Sequence, residues 1–108
     1  YQMFVIGSNS MNTYIYRGDV IIARRTNSKE IKNIKKGEIL VFRYNNKIIS
    51  HRVYKIIKRD NKLYFKTKGD NNDQVDDNIV KEKDIIGTVS FRIKYIGLPS
   101  IWLREALQ

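Results

Sequence analysis

EILVFRYNNKIISHRVYKIIKRDNKLYFKT, residues 38–67, is the stretch from which the fold is read. From Glu38 to Tyr44 the chain is rich in β-branched and aromatic residues, which favour a pleated strand. Asn45-Asn46 then supplies a two-residue turn, because Asn tolerates positive φ. Ile48 to Lys58 reads as a long returning strand that completes a hairpin. Asp60-Asn61 forms a second turn, after which Leu63 to Thr67 pairs back. Working outward, Phe4-Val5-Ile6 is a short apolar run stopped by Gly7, Asp19 to Ala23 carries Val20-Ile21-Ile22, and Ile85 to Ile93 is the last clear strand. Thr26 to Gly37 is polar and Lys-rich, a loop or a marginal helical turn. Lys68 to Asn78 is a polar loop dense in Gly, Asp and Asn. After Pro99, Ser100 to Leu107 places Ile101, Leu103 and Leu107 on one face of a short helical segment. Frequent short strands and a single Pro predict a mostly β fold, an antiparallel barrel or sandwich. With no repeat, low-complexity tract or linker, residues 1–108 read as one domain.

The chain has 108 residues, 42% of them hydrophobic, enough for one core. The absence of cysteine excludes disulfides and thiolate metal sites. Lys and Arg number 21 against 11 Asp and Glu, a formal charge of +10. Such a surface attracts polyanions, either nucleic acid or an anionic lipid surface, or is simply solvated. No RNP-type aromatic motif or zinc-finger spacing accompanies the charge. No apolar run approaches the ~18 residues needed to cross a bilayer.

Three features carry chemistry. His51 is the one imidazole in the chain, the side-chain type that changes charge near neutrality. It shares a strand face with Ile49 and Val53, a setting that suits a partly desolvated base as well as a satisfied core histidine. Gly7-Ser8-Asn9-Ser10-Met11 follows a short apolar strand and can present a hydroxyl from a tight turn. Such a hydroxyl is a poor nucleophile without an adjacent base, and an ordinary Ser/Asn turn has the same pattern. The third is the acidic loop from Lys68 to Asp77. Calcium binding of the EF-hand kind fails, because the sixth and twelfth positions counted from Asp70 hold Val75 and Lys81 rather than Gly and Glu. The loop reads either as a solvated acidic turn or as the source of a carboxylate that orients the histidine.

Taken in order, these stretches resemble one family. Ser8-Asn9-Ser10-Met11 followed by Arg17-Gly18-Asp19 is similar to the type I signal peptidase box Ser-Gly-Ser-Met-Glu-Pro and its later Arg-Gly-Asp. Lys36 to Arg43 resembles the next box. His51-Arg52-Val53 is similar to the His-Arg-Val of the endoplasmic-reticulum-type, Ser-His branch; in the Ser-Lys branch a lysine stands there. Lys68-Gly69-Asp70-Asn71-Asn72 with Val75-Asp76-Asp77 resembles the acidic box, and Ile86-Gly87 with Tyr95-Ile96-Gly97 the closing segment. Two departures stand out. Asn9 replaces the family's Gly, and Asn12-Thr13 replaces Glu-Pro, changes that suit a specialised paralogue.

The resemblance implies a mostly antiparallel β domain beside a membrane. It also implies a serine endopeptidase that removes N-terminal signal peptides from exported preproteins and binds the substrate as an extended strand. Ser10 is then the nucleophile, His51 the general base, Asp77 the carboxylate that orients His51, and Asp70 a second acidic contributor. The Ser8 hydroxyl and the Ser10 backbone N–H form the oxyanion hole. Met11 and Ile49 are the expected walls of small substrate pockets. Neither a metal nor any other cofactor is implied. The implied partners are preprotein signal peptides, a membrane lipid surface and accessory membrane subunits, not nucleic acid. The expected location is membrane-anchored, with an anchor upstream of Tyr1 and the domain on the extracytoplasmic or lumenal side. Tyr1, Phe4 and Trp102 are either interfacial aromatics or core residues. The rival readings are a specialised or inactive signal-peptidase-like protein that assists assembly of exported proteins, and a basic β-barrel that binds nucleic acid.

Overall fold

The computed structural model describes residues 1–12, 14–94 and 106–107. Among the described residues, eight strands form one sheet: β1 (Gln2–Ile6), β2 (Val20–Arg25), β3 (Ile39–Tyr44), β4 (Lys47–Arg59), β5 (Lys62–Lys68), β6 (Val80–Lys81), β7 (Ile85–Ile93) and β8 (Ala106–Leu107). Their order is β6-β5-β4-β3-β7-β2-β1-β8. All pairings are antiparallel except β1 with the two-residue β8. The mostly antiparallel β expectation holds. Most of the expected C-terminal helical segment lies outside the described residues; its Ala106–Leu107 portion is a strand, satisfied by the ladder to Val5 and Ile6. Trp102 also lies outside them. No helix among the described residues is long and apolar enough to cross a membrane.

The turns follow from residue chemistry. Asn45 and Asn46 adopt φ of 49° and 62°, and Asp60 and Asn61 adopt 52° and 64°. Two consecutive positive φ values match the right-handed twist of the flanking strands. The segment before β3 is a 3-10 turn, Ile31–Asn33, whose Ile31, with Ile34 beyond it, is buried in the core.

The central strand, β3, packs on both sides. Ile39 and Val41 join Phe4, Ile6, Met11, Ile15, Ile21, Ala23 and Ile86 in one apolar cluster. Leu40 and Phe42 point the other way and join Ile31, Ile34, Val53, Phe65 and Val80 in a second. Successive side chains of a strand leave opposite faces, so a run of four apolar residues serves two cores. Bulges between Ile22 and Ala23, Val41 and Phe42, and Val53 and Lys55 interrupt the ladders. Each adds local bend and twist, which lets one sheet wrap both clusters. Phe4 is thereby a core residue, whereas Tyr1 is 80% exposed.

Candidate active site

Ser10 lies in the loop between β1 and β2. The loop closes where Ile6 N–H donates to Asp19 O and Gly18 N–H donates to Ile6 O, each at 2.8 Å. Gly18 has φ of 94°, a left-handed value that glycine accepts without strain. A tight turn follows the serine, with Tyr14 N–H and Ile15 N–H both donating to Met11 O at 3.0 and 2.9 Å. Met11 and Ile15 drop into the first cluster and anchor the turn.

The acidic loop pins Ser10 from the other side. Asn71 N–H donates to Ser10 O at 2.8 Å. A Cβ on Gly69 would stand 2.7 Å from that same oxygen and 2.7 Å from Asn72 Nδ2. Only a residue without a side chain permits this approach.

His51 comes from β4, opposite Leu40 of β3. It is 8% exposed, and its ring meets that of Phe42 in a T-shaped contact at 6.4 Å between centroids. Its Nδ1 lies 2.5 Å from Asp76 Oδ2 and its Nε2 lies 3.1 Å from Ser10 Oγ. A carboxylate only accepts hydrogen bonds, so the ring hydrogen belongs on Nδ1. The lone pair of Nε2 then faces the Ser10 hydroxyl. Asp76 Oδ2 also accepts from the Thr67 hydroxyl at 2.7 Å. Burial disfavours the charged Asp76 carboxyl and is the largest single influence, but hydrogen bonds from His51 and Thr67 and the charges of His51 and Lys66 together outweigh it. Asp76 therefore titrates below the usual carboxylate range.

The carboxylate beside His51 is thus Asp76, not the expected Asp77. Lys66 Nζ donates to the main-chain oxygens of Asp76 and Asp77, each at 2.9 Å. With both carbonyls held on β5, the Asp76 side chain is the one that turns to the imidazole. Asp70 is not at the imidazole either. It takes a two-pronged ion pair from Arg52, Nε to Oδ1 at 2.9 Å and Nη2 to Oδ2 at 2.8 Å. That bond, more than any other influence, raises the Arg52 pKa above its ordinary value, against the pull of burial. Arg52 also donates to Gly37 O at 2.8 Å and lies 5.3 Å from the Tyr14 ring, with Arg92 at 5.5 Å.

The other expected residues divide. Ser8 Oγ is 3.1 Å from Ser10 Oγ. Met11 is 2% exposed, and its sulfur accepts from Asp70 N–H at 3.4 Å; it packs beneath the serine turn. Ile49 is half-buried against the second cluster. Sequence reasoning passed over Thr67 and Lys66. Thr67 left a signal: it alternates with buried Phe65 on β5, so its hydroxyl faces inward and needs a partner.

Fold and site together define a β-sheet domain carrying a serine–histidine–carboxylate relay, the arrangement serine hydrolases use. A family model described as Peptidase S24-like matches residues 1–90. The chain belongs to that family. It is 35% identical over 111 residues to the signal peptidase complex catalytic subunit SEC11C of Homo sapiens and of Canis lupus familiaris, across 94% of this chain and 56% of each relative. It is 33% identical over 112 residues to the signal peptidase complex catalytic subunit SEC11 of Zygosaccharomyces rouxii, across 94% of this chain and 65% of that relative. The chain therefore spans less than two thirds of the length of these relatives.

Proposed function

We propose that this chain is the catalytic domain of a signal peptidase, a serine endopeptidase that cleaves N-terminal signal peptides from exported preproteins at a membrane surface. The observation that carries the reading is the line from Ser10 Oγ through His51 to Asp76, with its 3.1 and 2.5 Å steps, in a chain similar to signal peptidase catalytic subunits.

Ser10 Oγ attacks the scissile carbonyl carbon as its proton passes to His51 Nε2. Asp76 holds Nδ1–H and stabilises the imidazolium that forms. The substrate oxygen becomes an oxyanion, and the Ser8 hydroxyl and the Ser10 N–H are its donors. A single such donor is worth about 3–4 kcal/mol in the transition state. The imidazolium then protonates the leaving amine, the peptide bond breaks, and an ester remains on Ser10. Water attacks that ester while His51 takes its proton, and collapse of the second intermediate returns the proton to Ser10. Asp70 acts at one remove, since its ion pair with Arg52 ties the acidic loop to β4.

Small side chains at the cleavage site fit the substrate class that the resemblance implies. Exposed Tyr1 and the +10 charge suit work beside anionic headgroups, on the extracytoplasmic or lumenal side and alongside accessory subunits.

The test uses the complete gene product in vesicles with a labelled preprotein, the new N-terminus being read by mass spectrometry. Cleavage should follow a small-x-small pattern. Ser10→Ala and His51→Ala should each lower kcat by on the order of 10⁴-fold or more, with the circular dichroism spectrum unchanged. Parental cleavage by Ser10→Ala sinks the reading.

A further inference from the structure

We propose that Thr67 is a positioning residue: its hydroxyl fixes the Asp76 carboxylate so that His51 keeps its hydrogen on Nδ1 and its lone pair toward Ser10. The inference rests on the serine-peptidase reading of the site.

Register is the first support. Thr67 of β5 lies opposite Val53 of β4, and His51 precedes Val53 by two residues on the same strand face. The hydroxyl and the imidazole therefore approach one carboxylate from the same side of the sheet.

Burial is the second support. Thr67 is 0% exposed, in line with Phe65, also 0% exposed. A buried hydroxyl without a partner is costly, and valine would fill the same space without that cost. The partner present is Asp76 Oδ2, at 2.7 Å. That oxygen also faces His51 Nδ1. Two donors on one oxygen set the plane of the carboxylate, which a single hydrogen bond leaves free to turn.

The third support is a double grip. Asp76 N–H donates to Thr67 O at 2.9 Å, and the neighbouring Lys66 ammonium holds the Asp76 and Asp77 carbonyls. The main chain at Asp76 is thus tethered independently of the hydroxyl. Removing the hydroxyl leaves the backbone in place and frees the carboxylate alone. The hydroxyl itself reaches no reacting atom; it acts through Asp76.

The test compares Thr67→Val, which keeps the branched shape and loses the hydroxyl, with Thr67→Ser, which does the reverse. In the complete gene product, Thr67→Val should lower kcat about 5- to 10-fold, the scale of one buried hydrogen bond, with KM little changed. Thr67→Ser should stay near the parent. The NMR signal of His51 Nδ1–H, identified by its loss in His51→Ala, should broaden and move upfield in Thr67→Val and persist in Thr67→Ser. A packing role predicts the opposite order, with valine harmless and serine damaging. In an Asp76→Asn background the valine substitution should cost almost nothing further. Parental kcat and an unmoved Nδ1–H signal in Thr67→Val overturn the inference, as does an undiminished loss in the Asp76→Asn background. Should Thr67→Val fail to fold, Thr67→Ala carries the same comparison. If Ser10→Ala still cleaves, the peptidase reading falls, while the Nδ1–H contrast between valine and serine still decides what Thr67 does to the imidazole.

Discussion

Asp76 and Asp77 stand side by side in the chain, and the hydrogen bonds around them separate their roles. The Asp76 carboxylate meets His51 and Thr67, whereas Asp77 contributes its main-chain oxygen to Lys66. Asparagine at position 76 preserves shape but brings an amide that can offer hydrogens to Nδ1, which favours the wrong tautomer. Asp76→Asn should therefore lower kcat by on the order of 10³- to 10⁴-fold, the scale at which tautomer errors act in such relays. Asp77→Asn should stay within about threefold of the parent, since a surface substitution that spares the backbone bond removes little. Measured kcat values for the two variants, side by side, check the assignment. The reverse ranking would move the orienting role to Asp77.

At the scale of elements, two glycines show how differently a turn and a packed ladder tolerate a methyl group. Gly87 of β7 pairs with Arg25 of β2 on one side and Val41 of β3 on the other. A Cβ there would lie 2.1 Å from the Arg24 carbonyl oxygen, a backbone atom that cannot swing aside. Gly37, before β3, has φ of 96° and nothing within 4 Å of its missing Cβ. Gly87→Ala should therefore lose about 3 kcal/mol or more, since the β2–β7 ladder must separate. Gly37→Ala should cost only about 1 kcal/mol, the strain of the left-handed region. Urea unfolding midpoints of the two variants test this contrast. Equal losses would mean that β7 is free to move away from β2. The same ladders explain the bulges: β3 must face two cores while β7 runs beside it, and a regular pairing along its whole length would leave the sheet too flat to cover both.

The whole molecule couples site and stability through the Asp76 charge. Its carboxyl titrates lower in the folded chain than its ordinary value, so folding favours the ionised form. That contribution is fully present above the unfolded value of about 3.9 and is lost as pH falls through it toward the lower folded value. Asp76→Asn should thus melt below the parent at pH 7, and the gap should narrow between about pH 5 and pH 2. Thermal melts of both proteins across that range check the sign; a gap that widens on acidification contradicts it. Much of this architecture was legible beforehand. β-branched runs marked β2, β3, β4 and β7, and Asn-Asn and Asp-Asn marked the turns, because strand propensity and positive φ are properties of a residue and its covalent neighbours. Ser10 and His51 were marked out by the family resemblance, since a Gly-Ser-Asn-Ser turn and a single strand imidazole each have an ordinary structural reading when taken alone. The choice of Asp76 over Asp77, the burial of Met11, the division of β3 between two cores and the engagement of Thr67 needed the folded chain. Each depends on which groups approach across tens of residues of sequence, where contact is set by register, bulges and competition for hydrogen-bond partners rather than by local composition.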